Sequence, residues 1–491
     1  MTDVKKKITN DFLVYTSATY VTQALGIVTS FAMRFFLEPS LMGVWSLLDL
    51  ILNYGLYSNL GVTTALYTEM PYHLGKKDFY KAGQIRDAIF SFVLLGAVAT
   101  GALFLLWAVF SGSSVSPQLR IGIAAVALIL VATSIYNFYV AWMWATKKFR
   151  VLSAGIVINA TLYLLLIFVL VSRFKLYGLL ASVFLSISGA AVYLGLQSKT
   201  GRMHFTLERA VLWDLLKVSA PLVTVGFVYA LFMSLDRLII TRFLGLTALG
   251  HYSIALLVVS YANIVSKLLA TVVFPNMQEQ YGESGSKTEI SRFVTKPAML
   301  LAYGSPLLLG AAYLIVPHMV HWILPKYEPG LESMRIFLLG TFFISLCQPI
   351  QTYLTTVYKR WQALPLITFG AAVASLSSVV LIRNGWGLNG VAIGMSFGFF
   401  AYFTALLFYV FGHFYSKRQA LFFYGETLFC FVYYVAVVFS VGFFVRPAEN
   451  EFMNAAAQLL VFGLCCTPLL WRANKKTGAF SMVWAAARGA A

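Results

Sequence analysis

Apolar runs long enough to cross a bilayer recur along the whole chain, and this feature limits the possible folds more than any other. A membrane-spanning helix needs about 20 mostly apolar residues. About fourteen such runs occur, at residues 12–35, 41–68, 87–111, 119–144, 151–171, 176–196, 217–241, 249–273, 297–319, 332–357, 362–382, 389–412, 421–445 and 455–471. Only 11% of the residues are charged, against about 25% in soluble domains. The sequence therefore predicts an all-α integral membrane protein with about 14 transmembrane helices.

The distribution of basic residues tests this number of spans. A formal charge of +18 would suggest nucleic-acid binding in a soluble protein, but membrane proteins concentrate Lys and Arg in their cytoplasmic loops. With the N-terminus in the cytoplasm, every segment on that side is basic, including 5–7, 76–86 and 472–476. A missed span would invert this alternation partway along the chain. We expect an even number of spans in the cell inner membrane, both termini cytoplasmic, and no nucleic-acid partner.

Motifs that would indicate an enzyme are absent from the sequence. It contains no Walker loop, no GxGxxG opening a helix, no HExxH and no GxSxG. The four cysteines lie in apolar runs without metal-ligand spacing. The longest loop, about 275–296, is polar and basic and too short to fold alone. We therefore expect no catalytic residues, no metal and no cofactor.

Two links between spans resemble each other. Residues 36–46 and 243–253 share a Phe-Leu pair, a Gly, an aromatic residue and a Ser at a constant separation of 207 positions. Chance similarity among apolar segments is the alternative, but both links join the first two spans of a six-span block. The pattern predicts two six-helix repeats related by a pseudo-twofold axis along the membrane normal, with a binding site between them. The predicted segments are 1–205 (spans 1–6), 206–415 (spans 7–12) and 416–491 (two extra helices and a basic cytoplasmic tail).

Polar side chains at helical spacing mark the first two spans of each repeat. Polar residues are costly in a bilayer and usually face a cavity or another helix. The candidates for a substrate-binding cavity are Gln23, Arg34, Asn53, Arg237, Asn263 and Lys267, and the candidates for ion coupling or an ion pair are Asp49 and Asp236. Hydrogen bonding between helices is the alternative for the amides. Snorkelling to the interface is the alternative for the basic residues.

Several of these segments resemble the polysaccharide transporter family. The likeness is carried by residues 34–46, 59–65, 220–221 and 235–253. This family belongs to the superfamily of the multidrug and toxin extruders and the lipid II flippases. The resemblance implies two six-helix lobes around a cavity lined by helices 1, 2, 7 and 8. It also implies movement of undecaprenyl-pyrophosphate-linked oligosaccharides between leaflets. In the lipid II flippases two extra helices form a groove for the lipid tail, and their role here stays open.

The resemblance and the polar stripes together favour a flippase working by alternating access. The three basic cavity candidates would bind the pyrophosphate, and the three amides would bind sugar hydroxyls. Membrane lipids and a polysaccharide polymerase are the implied partners. The alternative is a cation-coupled exporter of drugs or small metabolites, for which Asp49 is the main coupling candidate. A membrane enzyme such as a polymerase would need a catalytic loop that the sequence lacks.

Overall fold

Nearly all of the described chain is helical. The computed structural model describes residues 2–112, 115–198, 203–357, 360–445 and 451–478, and it contains no β-strand within them. The α-helices are α1 (Thr2–Phe36), α2 (Pro39–Gly55), α3 (Ala65–Gly75), α4 (Phe79–Phe110), α5 (Pro117–Ala145), α6 (Phe149–Leu166), α7 (Ser172–Ser198), α8 (Arg209–Phe232), α9 (Leu235–Phe243), α10 (Leu246–Ser284), α11 (Arg292–Ile323), α12 (Leu331–Thr356), α13 (Ala363–Arg383), α14 (Gly387–Phe411), α15 (Lys417–Phe444) and α16 (Glu451–Thr477). The prediction of an all-α protein is confirmed.

Ten helical runs among the described residues are long and apolar enough to cross a membrane, and a bent pair within α8 would be an eleventh. The longest run, Phe149–Ser198, folds back on itself. Gly155 of α6 packs against Leu194, and Gly178 of α7 packs against Leu170, which is an antiparallel arrangement. The protein is thus a multi-pass membrane protein, and the number of fourteen spans stays a prediction.

The chain reverses direction near the start of α7, where one residue leaves the helical conformation. Lys175 has φ 50° and ψ −122°, outside the helical region. Its ammonium group donates a hydrogen bond of 3.2 Å to the carbonyl oxygen of Phe36 at the end of α1. This bond satisfies one of the carbonyl groups that a helix end leaves without a partner. This hydrogen bond links the end of α1 to the turn at Lys175 in α7.

The chain divides into two compact units, Met1–Phe227 and Val228–Ala491. In the first unit α4 packs on α5, α5 on α7 and α6 on α7. In the second unit the same order appears, with α11 on α12, α12 on α14 and α13 on α14. These three helix pairs therefore follow the same order along the chain in both units. The axis between the repeats and the predicted segments 1–205, 206–415 and 416–491 stay predictions.

The second predicted span, 41–68, is divided between two α-helices in the structure. Helix α2 ends at Gly55, and two short 3-10 turns lead to α3. Leu60 and Gly61 both have positive φ, 44° and 73°. A Cβ atom on Gly61 would overlap Cγ2 of Val223 in α8. Glycine suits both demands because it adopts positive φ freely and lets another helix approach closely.

The seventh predicted span, 217–241, is also interrupted. The segments Arg209–Lys217 and Ser219–Phe232 of α8 meet at an angle of 52°. Pro221 has no N–H to donate to the carbonyl of Lys217, and its ring clashes with that turn, so proline bends a helix at this distance. The helix then stops at Phe232, and α9 begins at Leu235. The predicted span 217–241 is therefore divided between α8 and α9, and Pro221 is a local chemical cause of the bend within α8.

Candidate functional site

The first unit brings three polar side chains from three helices together. Arg34, near the end of α1, is only 4% exposed, and its Nη1 donates a hydrogen bond of 2.9 Å to the carbonyl oxygen of Ser30. Tyr163 of α6 lies within electrostatic range of both Arg34 and Asp49 of α2. The Tyr163 hydroxyl is 3.9 Å from the sulfur of Met33. We call Arg34, Asp49 and Tyr163 the first cluster.

Other predicted residues extend from the first cluster along its helices. Asn53 is exposed, and its amide donates a hydrogen bond of 2.7 Å to the carbonyl oxygen of Asp49, one turn earlier in α2. Gln23 is partly buried in α1. It lies eleven residues before Arg34, which is about 16 Å along a helix. Asp49 and Asn53 therefore share one face of α2, while Gln23 lies about three turns from Arg34 along α1.

The second unit holds a different arrangement of the same residue types. Asp236, in the first turn of α9, is 0% exposed, and its Oδ1 accepts a hydrogen bond of 2.7 Å from the backbone N–H of Arg237. A carboxylate is favourable there because the first N–H groups of a helix have no partner within it. The phenol of Tyr252 in α10, also fully buried, lies against this carboxylate. We call Asp236, Arg237 and Tyr252 the second cluster.

The structure does not bring the last two candidates to the second cluster. Asn263 is partly buried and Lys267 is exposed, and both belong to α10. They follow Tyr252 by eleven and fifteen residues, which is about 16 and 22 Å along a helix. They share a face one turn apart, so they form a separate polar stretch of α10.

Both tyrosines are additions to the predicted set. Tyr163 occurs in an otherwise apolar run, 151–171, and a single phenol in such a run carries no clear signal. Tyr252 belongs to the link shared by the two sequence repeats, but the sequence does not predict its contact with Asp236. Each tyrosine approaches its carboxylate from a different helix, and sequence spacing does not reveal such pairs.

Comparison with known proteins identifies the family. A family model described as "polysaccharide biosynthesis protein" matches residues 36–314, more than half of the chain. The chain belongs to this family. The matched region contains Asp49, Asn53 and the second cluster, and it begins just after Arg34. Among curated proteins, none matches this chain in sequence.

Solved structures share the fold of this polysaccharide biosynthesis protein at low sequence identity. A lipid II flippase MurJ in an inward closed conformation has a TM-score of 0.69 at 12% identity, covering 94% of this chain and 99% of its own. An inward-facing multidrug resistance MATE transporter has a TM-score of 0.66 at 14% identity, covering 84% and 99%. A MOP superfamily transporter from Pyrococcus furiosus has a TM-score of 0.59 at 14% identity, covering 82% and 93%. The predicted family resemblance is confirmed.

The two clusters offer binding chemistry for an anionic, hydroxyl-rich molecule. Arg34 and Arg237 each carry a planar guanidinium, which can donate two parallel hydrogen bonds to a phosphate. Tyrosine hydroxyls can donate to and accept from sugar hydroxyls. The nearby carboxylates, Asp49 and Asp236, offset the cost of keeping a guanidinium inside a membrane protein.

Proposed function

We propose that this protein is a flippase for a polyprenyl-pyrophosphate-linked oligosaccharide. It would move this lipid across the cytoplasmic membrane for cell-surface polysaccharide biosynthesis, by alternating access and without chemical catalysis. Membership of the polysaccharide biosynthesis protein family, over residues 36–314, is the observation that carries the proposal. The fold shared with a lipid II flippase supports it.

The arginines supply the proposed recognition of the headgroup. Arg34 is buried and Arg237 is half-buried, so water competes weakly for their donors. A charge-assisted hydrogen bond is stronger at low dielectric than in bulk water. A pyrophosphate would therefore gain more from these two residues than from exposed lysines. The exposed Asn53 and the partly buried Asn263 would bind sugar hydroxyls, and Lys267 would add a long-range attraction.

The proposed direction of transport depends on the orientation of the chain. With the basic segments in the cytoplasm, residues near Lys77 and Lys287 face the cytoplasm and those near Lys326 face outside. The variants Lys77→Cys, Lys287→Cys and Lys326→Cys, each made after the four native cysteines have been replaced by alanine, test the orientation with an impermeant maleimide on intact cells. Labelling of the Lys326→Cys variant alone supports export. Labelling of the Lys77→Cys and Lys287→Cys variants, with no labelling of Lys326→Cys, would reverse the proposed orientation and direction.

A reconstituted translocation assay tests the proposed activity. Purified protein is placed in vesicles that contain a fluorescent polyprenyl-pyrophosphate oligosaccharide, and an impermeant reagent measures the fraction in the outer leaflet over time. We expect faster exchange than in protein-free vesicles. An absence of protein-dependent exchange, with protein that is correctly folded by its melting curve, would contradict the proposal.

The exporter alternative makes a different prediction in the same vesicles. Its specific support is Asp49, a partly buried carboxylate in the first cluster to which a cation could bind. An exporter would move a cationic dye in response to a sodium or proton gradient and leave the lipid-linked oligosaccharide in place. A flippase would move the lipid and leave the dye.

A further inference from the structure

A cavity of about 540 Å³ lies among α11, α15 and α16 in the second unit. Its apolar walls include Met299 and Phe423, and the Phe422 ring at its edge is 71% exposed. Three basic side chains line it, Lys296, Arg418 and Lys476, together with Glu426. Specific ligand pockets typically measure about 300–1,000 Å³, so the space admits a small headgroup and the upper part of an alkyl chain.

The charges around this cavity do not balance. Glu426 forms an ion pair with Lys476 and accepts a hydrogen bond from Tyr303, so one carboxylate neutralises one of the three cations. The ammonium of Lys476 also lies 5.5 Å from the centre of the Phe422 ring. In the described part of the chain, Lys296 and Arg418 have neither an ion pair nor a hydrogen bond. Two positive charges therefore remain at the mouth of an apolar groove.

The three basic residues lie at the same end of the group formed by α11, α15 and α16, with α16 running in the opposite direction. Lys296 is in the second turn of α11, Arg418 is in the first turn of α15, and Lys476 is in the last turn of α16. The distribution of basic residues predicts that this end faces the cytoplasm. Basic pockets between membrane helices on that side bind the headgroups of anionic lipids.

We propose that this cavity binds an anionic phospholipid of the inner leaflet, with one phosphate between Lys296 and Arg418 and an acyl chain along Met299 and Phe422. Charge complementarity selects the phosphate, and the apolar wall selects a lipid over a soluble anion. The Glu426–Lys476 pair fixes α16 against α15 and so keeps the groove in shape. This site is separate from the first and second clusters, and it does not depend on the proposed flippase activity.

Lipid binding to the purified full-length protein tests the site. The probes are dioleoyl phosphatidylglycerol and, as a neutral reference, dioleoyl phosphatidylcholine, each titrated into detergent-solubilised protein and measured by native mass spectrometry. At about 1 kcal/mol for each basic residue near an anionic lipid, the double variant Lys296→Gln/Arg418→Gln should bind phosphatidylglycerol about 30-fold more weakly. Phosphatidylcholine binding should not change.

A matched variant separates the cavity from general surface charge. Arg292→Gln/Lys417→Gln removes two exposed basic residues that adjoin the same helix ends and do not line the cavity. It should keep the wild-type affinity for phosphatidylglycerol. An equal loss in both double variants, or a wild-type affinity in Lys296→Gln/Arg418→Gln, would overturn the proposal.

Two further measurements address the acyl chain. Met299→Trp fills the cavity without changing its charge, and we expect it to weaken phosphatidylglycerol binding at least fivefold while the melting temperature is retained. Glycerol 3-phosphate, which has the anion without the chains, should fail to displace the lipid at equal concentration. Unchanged binding in Met299→Trp, or displacement by glycerol 3-phosphate, would mean that the occupant is not a lipid in this groove.

Discussion

The first two spans of the two sequence repeats differ in where they are broken. In the first repeat α1 is continuous and the second span is interrupted at Leu60 and Gly61. In the second repeat the first span is interrupted, within and after α8, while α10 runs unbroken for 39 residues. The same link sequence therefore joins a straight helix to a broken one in both places, but in opposite order.

This difference also sets how the two clusters are built. The first cluster is assembled from α1, α2 and α6, and its Asp49 is partly exposed. In the second cluster the carboxylate and the guanidinium are neighbours in sequence, directly after a helix break, and Asp236 is fully buried. The comparison indicates that the carboxylate of the second cluster has a structural role and that the carboxylate of the first cluster is more accessible. Substitutions in the two clusters should therefore affect stability and transport differently.

The largest effect is expected at the break in the first repeat. Gly61→Ala adds a Cβ that overlaps Val223 and places alanine at positive φ, which together should cost about 3 kcal/mol. The melting temperature in detergent, measured by size-exclusion chromatography after heating, checks this loss. Gly75→Ala is the control, because its Cβ would meet nothing within 4 Å. Adding Val223→Ala should recover the steric part of the loss, and no recovery would contradict the packing argument.

A smaller effect should distinguish the two carboxylates. Asp236→Asn keeps an acceptor for the Arg237 N–H, but it removes the negative charge beside Arg237 and adds an amide NH2 group in a fully buried place. A buried polar group without a good partner costs about 2 kcal/mol. Asp49→Asn changes a partly exposed carboxylate in the cluster of the buried Arg34, so it should lower the melting temperature less than Asp236→Asn does, and it should reduce transport. Equal stability losses in the two variants would contradict the proposed difference between the clusters.

The smallest stability effect is expected in α8. Pro221→Ala restores the N–H that can bond to the carbonyl of Lys217, so the bend of 52° should open. The helix propensity gained with alanine should be largely offset by the packing lost as the bend opens. Spin labels at Ala210 and Ala230 report the bend, and straightening should lengthen their separation by about 3 Å. An unchanged distance would mean that packing against Gly61, and not the proline, maintains the bend.

The sequence predicts the helices well and their interruptions poorly. Hydropathy places span 389–412 almost where α14 lies, Gly387–Phe411, because long apolar runs leave the backbone few alternatives in a membrane. Hydropathy is averaged over a whole span, so it does not show the break at Gly61, which lies within the apolar run 41–68. Arg34 and Asp49 were predicted from helical spacing, whereas Tyr163 was missed because its proximity depends on how α6 packs beside α1.

Initial translocation rates of Arg34 variants in the reconstituted vesicles test the central claim, that buried guanidinium groups recognise an anionic lipid headgroup. Arg34→Lys keeps the charge and loses the two-pronged geometry, so it should retain part of the rate. Arg34→Gln should lower the rate at least tenfold with normal protein abundance and melting temperature. A wild-type rate in Arg34→Gln would contradict the claim, because a headgroup-binding arginine cannot be replaced by a neutral amide without cost.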